Sequence, residues 1–226
     1  MQARPTLVIG NKNYSSWSLR PWLLLRHAGI DFEELRLPLD TAAFQRDIAR
    51  HSPSGKVPVL RDGELVVWDS LAICEYASET WLDGRGWPQP RAARAHARAA
   101  AAEMHSGFPA LRAQLPMNCR RRPDSYRWDA EAARDIERVQ SLWRTLLREH
   151  GGDGAFLCGA FGIVDAMYAP VLVRFRAYGV ELTGELRAYS DAVLQLPAMR
   201  EWLHAAEQEG ESIPKYEALR TPSAAG

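Results

Sequence analysis

Hydrophobic and polar positions follow two different periods in about the first eighty residues of the chain. Short apolar or alternating runs bounded by glycine, proline or charged turns predict strands, whereas apolar residues repeating every three or four positions predict helices. The predicted strands are 7–9, 32–37, 57–60 and 65–68, and the predicted helices are 16–28, 42–50 and 69–82. The predicted order is therefore β-α-β-α-β-β-α.

This order predicts a small mixed sheet. Its β-α-β half requires a parallel crossover connection. The last two strands flank Asp62-Gly63, and an Asp-Gly turn between two β-rich runs is typical of an antiparallel hairpin. We therefore expect an α/β domain over residues 1–83 that combines parallel and antiparallel strand pairs.

Strand patterns stop at residues 84–90, a segment rich in glycine and proline that we interpret as a linker. The predicted helices beyond it are 92–115, 128–150, 163–178, 185–196 and 198–209. Pro109 is expected to kink the first, because a proline inside a helix removes a backbone hydrogen bond. The helix over 163–178 is apolar on almost all sides, which predicts the buried centre of an all-α domain spanning 91–226.

Charge and cysteine content narrow the classes of function. The chain has 28 basic and 28 acidic residues, so its formal net charge is zero and no basic surface for nucleic acid is expected. No apolar run reaches the roughly 18 residues of a membrane span, and the first apolar run is too short for a signal peptide. Cys74, Cys119 and Cys158 form neither a Cys-x-x-Cys pair nor a metal-ligand spacing. We expect a cytoplasmic protein without a metal site.

A serine-rich turn, Tyr14-Ser15-Ser16-Trp17-Ser18, follows the first predicted strand. Alone it is explained by helix capping, a common role of serine. Two further signals accompany it: Ser52-Pro53-Ser54-Gly55-Lys56-Val57-Pro58-Val59-Leu60, and the pair Asp69-Ser70 eleven residues after Pro58. Together they resemble the soluble glutathione transferases, along the whole chain. The Ser-Ser-x-Ser-x-Arg form is closest to the zeta class and its bacterial relatives, which carry cysteine in place of Trp17.

The resemblance implies a thioredoxin-like N-terminal domain that binds glutathione as co-substrate, and an all-helical C-terminal domain. Ser15 matches the catalytic serine of the family, and Ser16 is the near alternative. A free thiol titrates near pH ~8.5, and lowering its pKa by about two units requires roughly 2.7 kcal/mol. A hydroxyl donor at the N-terminus of a helix provides a hydrogen bond and a favourable dipole for the thiolate.

The other two signals are implied to bind the rest of glutathione. By resemblance, Pro58 follows a cis peptide bond and the Val57 backbone pairs with the cysteinyl part, while Lys56 reaches the glycyl carboxylate. Asp69 binds the γ-glutamyl ammonium, and Ser70 binds the neighbouring carboxylate together with backbone N–H groups. The alternatives are a solvated loop lysine for Lys56 and ordinary helix capping for Asp69-Ser70.

The electrophile pocket is implied to lie between the domains. Its expected lining residues are Tyr14, Trp17, Met104, His105 and Phe108. A methionine and aromatic stripe at helical spacing is equally typical of a hydrophobic core, and a lone histidine is more often structural. Both interpretations therefore stay open for the residues of this stripe.

Three functions follow from the resemblance. The first is transfer of glutathione to a small hydrophobic electrophile. The second is glutathione-dependent isomerisation, as in maleylacetoacetate isomerase, for which Arg20, Arg174 and Arg176 are candidates to bind a dicarboxylate. The third is a non-catalytic binding module with the same fold. Glutaredoxin-like disulfide exchange is excluded because residues 15–18 contain no cysteine. A homodimer is expected from the family.

Overall fold

A four-stranded mixed sheet organises the N-terminal half. The computed structural model describes residues 4–217. The strands are β1 (Thr6–Ile9), β2 (Glu33–Arg36), β3 (Val59–Asp62) and β4 (Leu65–Trp68), in the order β2-β1-β3-β4. β1 pairs in parallel with β2 and antiparallel with β3, and β3 pairs antiparallel with β4. This arrangement confirms the predicted mixed sheet and hairpin.

Helices cover both faces of this sheet. They are α1 (Ser16–His27), α2 (Ala42–Ile48) and α3 (Ser70–Trp81). Successive side chains of β1 point to opposite faces, so Leu7 and Ile9 join the large core with α1 and α3, whereas Val8 packs with Phe44 and Ile48 of α2. The β1–α1 connection therefore begins from a strand buried on both sides, which fixes the position of the serine turn.

The C-terminal half is helical. Its helices are α4 (Arg91–Ser106), α5 (Pro109–Gln114), α6 (Ala130–Leu146), α7 (Ile163–Tyr178), α8 (Gly184–Gln195), α9 (Pro197–Gln208) and α10 (Pro214–Glu217). A π-helical turn, Leu147–Gly151, continues α6. α7 packs against α1 and α4 and is buried except at Arg176, as its apolar sequence predicts. Within residues 4–217, none of the helices combines the length and apolar character that crossing a bilayer requires.

The predicted kinked helix over 92–115 is two separate helices. Phe108 adopts the left-handed backbone conformation, with φ of 59°, and Pro109 is the first residue of α5. Proline suits this position because its missing N–H is unpaired there in any helix. The prediction of a kink inside one helix was wrong: the chain leaves helical geometry at Gly107 and Phe108, before the proline.

The start of α7 is held by the carboxyl group of Asp165. Its Oδ1 accepts from the Leu157 amide at 3.0 Å and its Oδ2 from the Gly162 amide at 2.9 Å. The side chain is fully buried, and burial raises the pKa of Asp165 to about 7. One carboxyl group thus joins the central helix to the loop that precedes it.

Candidate functional site

A cleft of about 650 Å³ lies between the two halves of the molecule. Beside it lies a second cavity of about 470 Å³, and both are lined by Trp17, Lys56, Val57 and Arg112. The larger cleft adds Tyr14, Ser15, Ser16, Phe44, Met117 and Arg174, and the smaller adds Ser54, Pro58, Asp69 and Ser70. The three separated sequence signals therefore meet at one connected site.

Two serine hydroxyls lie at the N-terminal end of α1, both buried. Ser15 occupies the N-cap position, but its side chain bonds to no helical N–H group. It donates instead to Ser18 Oγ at 2.7 Å, and that oxygen also accepts from the Gly10 amide at 3.1 Å. Ser16 Oγ accepts from Arg174 Nη2 at 3.3 Å. Side-chain capping therefore does not account for Ser15, and the hydroxyl hydrogen of Ser16 has no acceptor among residues 4–217, which leaves it available to a ligand.

The hydroxyl of Tyr14 is fully engaged within the protein. It donates to the carboxylate of Glu217 and accepts from Arg120 Nη2 at 2.9 Å and from the Ile213 amide at 3.3 Å. Only the ring of Tyr14 is left to face the cleft. The phenol is thus a link between the serine turn and the C-terminal segment, not a free donor.

Three arginines lie near Trp17 and the serines. The guanidinium carbons of Arg20 and Arg112 lie 4.1 Å and 4.7 Å from the centre of the Trp17 ring, within the range of cation–π contacts. Nε and Nη1 of Arg20 and Nη1 of Arg174 are buried without a partner among the described residues. Burial, with repulsion from the other guanidinium groups, lowers the pKa of Arg20 to about 9 and that of Arg174 to about 10.

No acidic side chain is among the residues that line the larger cleft in the part of the chain described. The charged side chains that line the larger cleft, Lys56, Arg112 and Arg174, are therefore all basic, and such groups stabilise an anion such as a thiolate or carboxylate. Arg112 was not predicted as a site residue. The helix predicted through Pro109 gave no indication that α5 would turn a separate face toward the cleft.

The loop before β3 presents open backbone groups. The Val57–Pro58 peptide bond is cis, as the sequence resemblance predicts. Neither the N–H nor the C=O of Val57 has a hydrogen-bond partner among residues 4–217. Lys56 is exposed and borders both cavities. This loop can therefore offer a peptide-like ligand one backbone donor, one backbone acceptor and one cation.

Asp69 and Ser70 start α3 at the edge of the smaller cavity. Asp69 has a φ of 63°, a strained conformation for a residue with a side chain. Its Oδ1 caps the helix by accepting from the Leu71 amide at 2.8 Å, and its Oδ2 lies 3.1 Å from His105 Nε2. Ser70 Oγ is buried and has no partner in the described part of the chain. Capping thus accounts for Asp69 but leaves the Ser70 hydroxyl unexplained.

Two residues expected in the electrophile pocket lie elsewhere. Met104 is 0% exposed and Phe108 is 5% exposed, and both belong to the large hydrophobic core. α4, whose buried stripe includes Met104, packs against α7, and Met104 lines neither cavity. Both residues therefore lie in the hydrophobic core, outside the lining of the two cavities.

His105 lies behind the cleft wall. Its ring meets the edge of Trp17, with ring centres 5.3 Å apart, and its Nε2 faces Asp69. Arg176, a predicted candidate for binding a dicarboxylate, is exposed and bonds to the Cys119 carbonyl oxygen, and it lines neither cavity. Both residues therefore lie outside the lining of the two cavities.

Comparison with known proteins agrees with the fold. Models of the glutathione S-transferase N-terminal and C-terminal domains match residues 14–80 and 92–205. The chain is 41% identical over 59 residues to a dichloromethane dehalogenase of Methylorubrum extorquens, covering 25% of this chain and 20% of that protein. It is 32% identical over 108 residues to a probable maleylacetoacetate isomerase of Caenorhabditis elegans, covering 48% and 50%. The chain thus spans half or less of the length of these relatives.

Solved structures resemble the whole described fold. A glutathione transferase homologue from Burkholderia, solved with bound glutathione, has a TM-score of 0.70 and 22% identity, covering 92% of this chain and 100% of its own. At this identity the likeness concerns the fold. Since the two domain models together match most of the chain, the protein belongs to the glutathione S-transferase family.

Proposed function

We propose that the protein is a glutathione transferase that holds the thiolate of glutathione with a serine hydroxyl and transfers it to an electrophile in the interdomain cleft. The observation that carries this proposal is the convergence of unused hydrogen-bonding groups: the Ser16 hydroxyl hydrogen, the Val57 backbone and the Ser70 hydroxyl border adjoining cavities. Buried unpaired polar groups are rare in folded proteins and need a partner. Glutathione carries a complementary group for each.

Glutathione is proposed to run from the α3 N-terminus to the serine turn. Its γ-glutamyl carboxylate pairs with Ser70 and the first N–H groups of α3, where the helix dipole favours an anion. Its ammonium faces Asp69, and its cysteinyl peptide pairs with the Val57 backbone. Lys56 faces the glycyl carboxylate. This placement brings the thiol to Ser15 and Ser16, two of the residues that line the larger cleft.

The hydrogen-bond pattern favours Ser16 over Ser15 as the donor to sulfur. The Ser15 hydroxyl donates its hydrogen to Ser18 Oγ. The Ser16 hydroxyl accepts a hydrogen bond from Arg174, so its hydrogen is free to be donated to the sulfur. A hydrogen bond to a charged group contributes about 1.5–3 kcal/mol, and a helix N-terminus adds about 0.3–1 kcal/mol. Together these match the roughly 2.7 kcal/mol that lowering the thiol pKa by two units requires.

The proposal is tested by calorimetric titration with glutathione and with S-methylglutathione, followed by an assay of conjugation to a neutral aryl halide. We expect saturable binding of both ligands, with release of a proton only for glutathione because only it becomes a thiolate. We also expect conjugation in the presence of glutathione. No saturable binding would contradict the proposal, and binding without any turnover would indicate a binding module of the same fold.

Glutathione-dependent isomerisation is the second candidate, and the cationic cleft wall favours it. In this reaction the thiolate adds to the double bond of an unsaturated dicarboxylate, the bond between the two carbons rotates, and glutathione is expelled unchanged. Arg112 and Arg174 line the cleft without an acidic partner there, and such groups suit a carboxylate. The two reactions share the glutathione site and differ in what binds beside Arg112.

Replacement of Arg112 by glutamine separates these two candidates. If the physiological substrate is a dicarboxylate, R112Q should lower kcat/KM for isomerisation of a maleyl dicarboxylate by roughly tenfold or more, the loss of one charge-assisted hydrogen bond. Conjugation of a neutral aryl halide should change by less than about twofold. Arg176→Gln, which removes an exposed arginine from outside the cleft, is the matched control. Equal losses in both reactions would argue against a carboxylate contact at Arg112.

A further inference from the structure

Three metal-binding side chains meet on the surface of the helical domain. His96 Nδ1 lies 2.8 Å from His150 Nε2 and 3.8 Å from Glu149 Oε2. The three ligand atoms all lie within 4.8 Å of one another. None of these residues lines the glutathione cleft, so this His96–Glu149–His150 cluster is independent of the proposed function.

The cluster joins two elements that are far apart in sequence. His96 projects from the exposed side of α4, and Glu149 and His150 are consecutive residues of the π-helical turn after α6. Consecutive side chains point about 100° apart in a regular α-helix. The π turn is a local departure from that geometry, of a kind often found at functional sites. In this π turn the consecutive side chains of Glu149 and His150 both lie close to His96.

The carboxylate of Glu149 is oriented by its neighbour. Arg148 Nη2 donates to Glu149 Oε1 at 3.0 Å, which leaves Oε2 as the oxygen nearest to His96. The hydrogen bond between the two imidazoles requires that one of them present a bare nitrogen lone pair. The cluster thus already brings a carboxylate oxygen and two imidazole nitrogens to one point, and these are the donor types that a divalent transition metal takes.

We propose that His96, Glu149 and His150 form a binding site for Zn²⁺ or a similar divalent transition metal. Zn–N and Zn–O bonds of about 2.0–2.1 Å in a tetrahedral arrangement place neighbouring ligand atoms roughly 3.3 Å apart. The observed separations of 2.8 Å and 3.8 Å bracket this value, so small side-chain rotations suffice. Two imidazoles favour Zn²⁺, Co²⁺, Ni²⁺ or Cu²⁺ over Ca²⁺ and Mg²⁺, which prefer oxygen ligands. The exposed side leaves the fourth position to water.

Zinc binding to the glutathione-free protein tests this site. We expect one equivalent of Zn²⁺ to compete with a chromophoric chelator, and His96→Ala, His96→Gln and His150→Ala each to weaken the binding by roughly tenfold or more, since each removes one of three protein ligands. Zn²⁺ should also raise the Tm of the wild-type protein, because the ligands converge only in the folded chain. His204→Ala, which removes an exposed histidine outside the cluster, should bind as the wild type does.

Co²⁺ provides a second measurement that identifies the ligands. Ligation by imidazole and carboxylate gives visible d–d bands without the intense ultraviolet charge-transfer band of a Co²⁺–thiolate bond, which separates this site from binding at Cys158. The spectrum should be lost in His96→Gln, a substitution that keeps a good helix former on α4. Binding that is unchanged in the His96 and His150 variants, or no saturable binding to the wild-type protein, would overturn the proposal.

Discussion

At the serine turn, two neighbouring hydroxyl groups differ in where their hydrogens go. Ser15 donates to Ser18 one turn along α1, whereas Ser16 accepts from Arg174, a residue of the other domain. The motif alone placed Ser15 first, because its position matches the serine of related enzymes. The choice between the two depends on an arginine 158 residues away in the chain, and no local pattern around the serines contains that information.

Substitution of Ser16 by alanine tests this assignment. Loss of the donor should raise the pKa of the bound glutathione thiol by about one unit or more, because each unit corresponds to roughly 1.36 kcal/mol of differential stabilisation. It should also lower kcat by about 100-fold, which is the usual effect of removing one hydrogen-bond donor to an anion in an active site, here the thiolate. The measurements are the ultraviolet absorbance of the thiolate against pH, and steady-state conjugation kinetics.

Ser15→Ala is the matched control for this prediction. The two serines are adjacent and both buried, and each variant deletes one hydroxyl, so general damage to the turn affects both. We expect the thiol pKa in Ser15→Ala to stay within about half a unit of the wild-type value. A larger shift in Ser15→Ala than in Ser16→Ala would assign the thiol contact to Ser15 instead.

At the scale of elements, the order of strands and helices could be predicted because each has a clear period and a clear boundary. The break between α4 and α5 could not. A proline at position 109 fits both a kinked helix interior and the first turn of a new helix. The helix is interrupted at Phe108, whose left-handed backbone conformation is unusual for an aromatic residue. The sequence around Phe108 does not predict this conformation. The π-helical turn after α6 also could not be predicted, because the spacing of apolar residues does not distinguish it from a continued α-helix.

The Asp165 contact at the start of α7 makes stability depend on pH. Because the pKa of Asp165 is raised from 3.8 to about 7, the folded protein keeps this proton over a range in which the unfolded chain releases it. The resulting stabilisation is complete below about pH 4 and is lost as the pH rises through about 7. Asp165→Asn cannot titrate, so its stability should lack this component.

Urea unfolding of the wild type and Asp165→Asn at about pH 5 and about pH 8 measures this effect. The introduced asparagine retains one carbonyl acceptor and turns its amide hydrogens toward the other N–H, so the variant is less stable at both pH values. The difference between the two proteins should shrink at the higher pH, by on the order of 2 kcal/mol in free energy of unfolding. A difference that is the same at both pH values would show that this carboxyl is already ionised at pH 5.

At the scale of the whole molecule, the three local motifs of the N-terminal domain meet around the two cavities, and their positions could be read from the sequence of one domain. The opposite wall could not, because Arg112 and Arg174 reach the cleft only through the packing of α5 and α7. The contact that supports the loop before the serine turn could not be predicted from the sequence either. The amides of Lys12 and Asn13 both donate to the carboxylate of Glu209, near the end of the described chain, at 2.7 Å and 3.0 Å.

Glu209 therefore supports the loop that leads into the serine turn, and Glu209→Ala should show it. Removing the carboxylate leaves two backbone N–H groups without their partner, at a cost of about 1–3 kcal/mol for each group that stays buried. We expect a lower free energy of unfolding in urea and a fall in kcat/KM for glutathione. Glu207→Ala, which breaks only an exposed ion pair with Arg122, should change stability by less than about 0.5 kcal/mol. If both variants behaved alike, the serine turn would be held by its own domain, and the link to the helical domain would be dispensable.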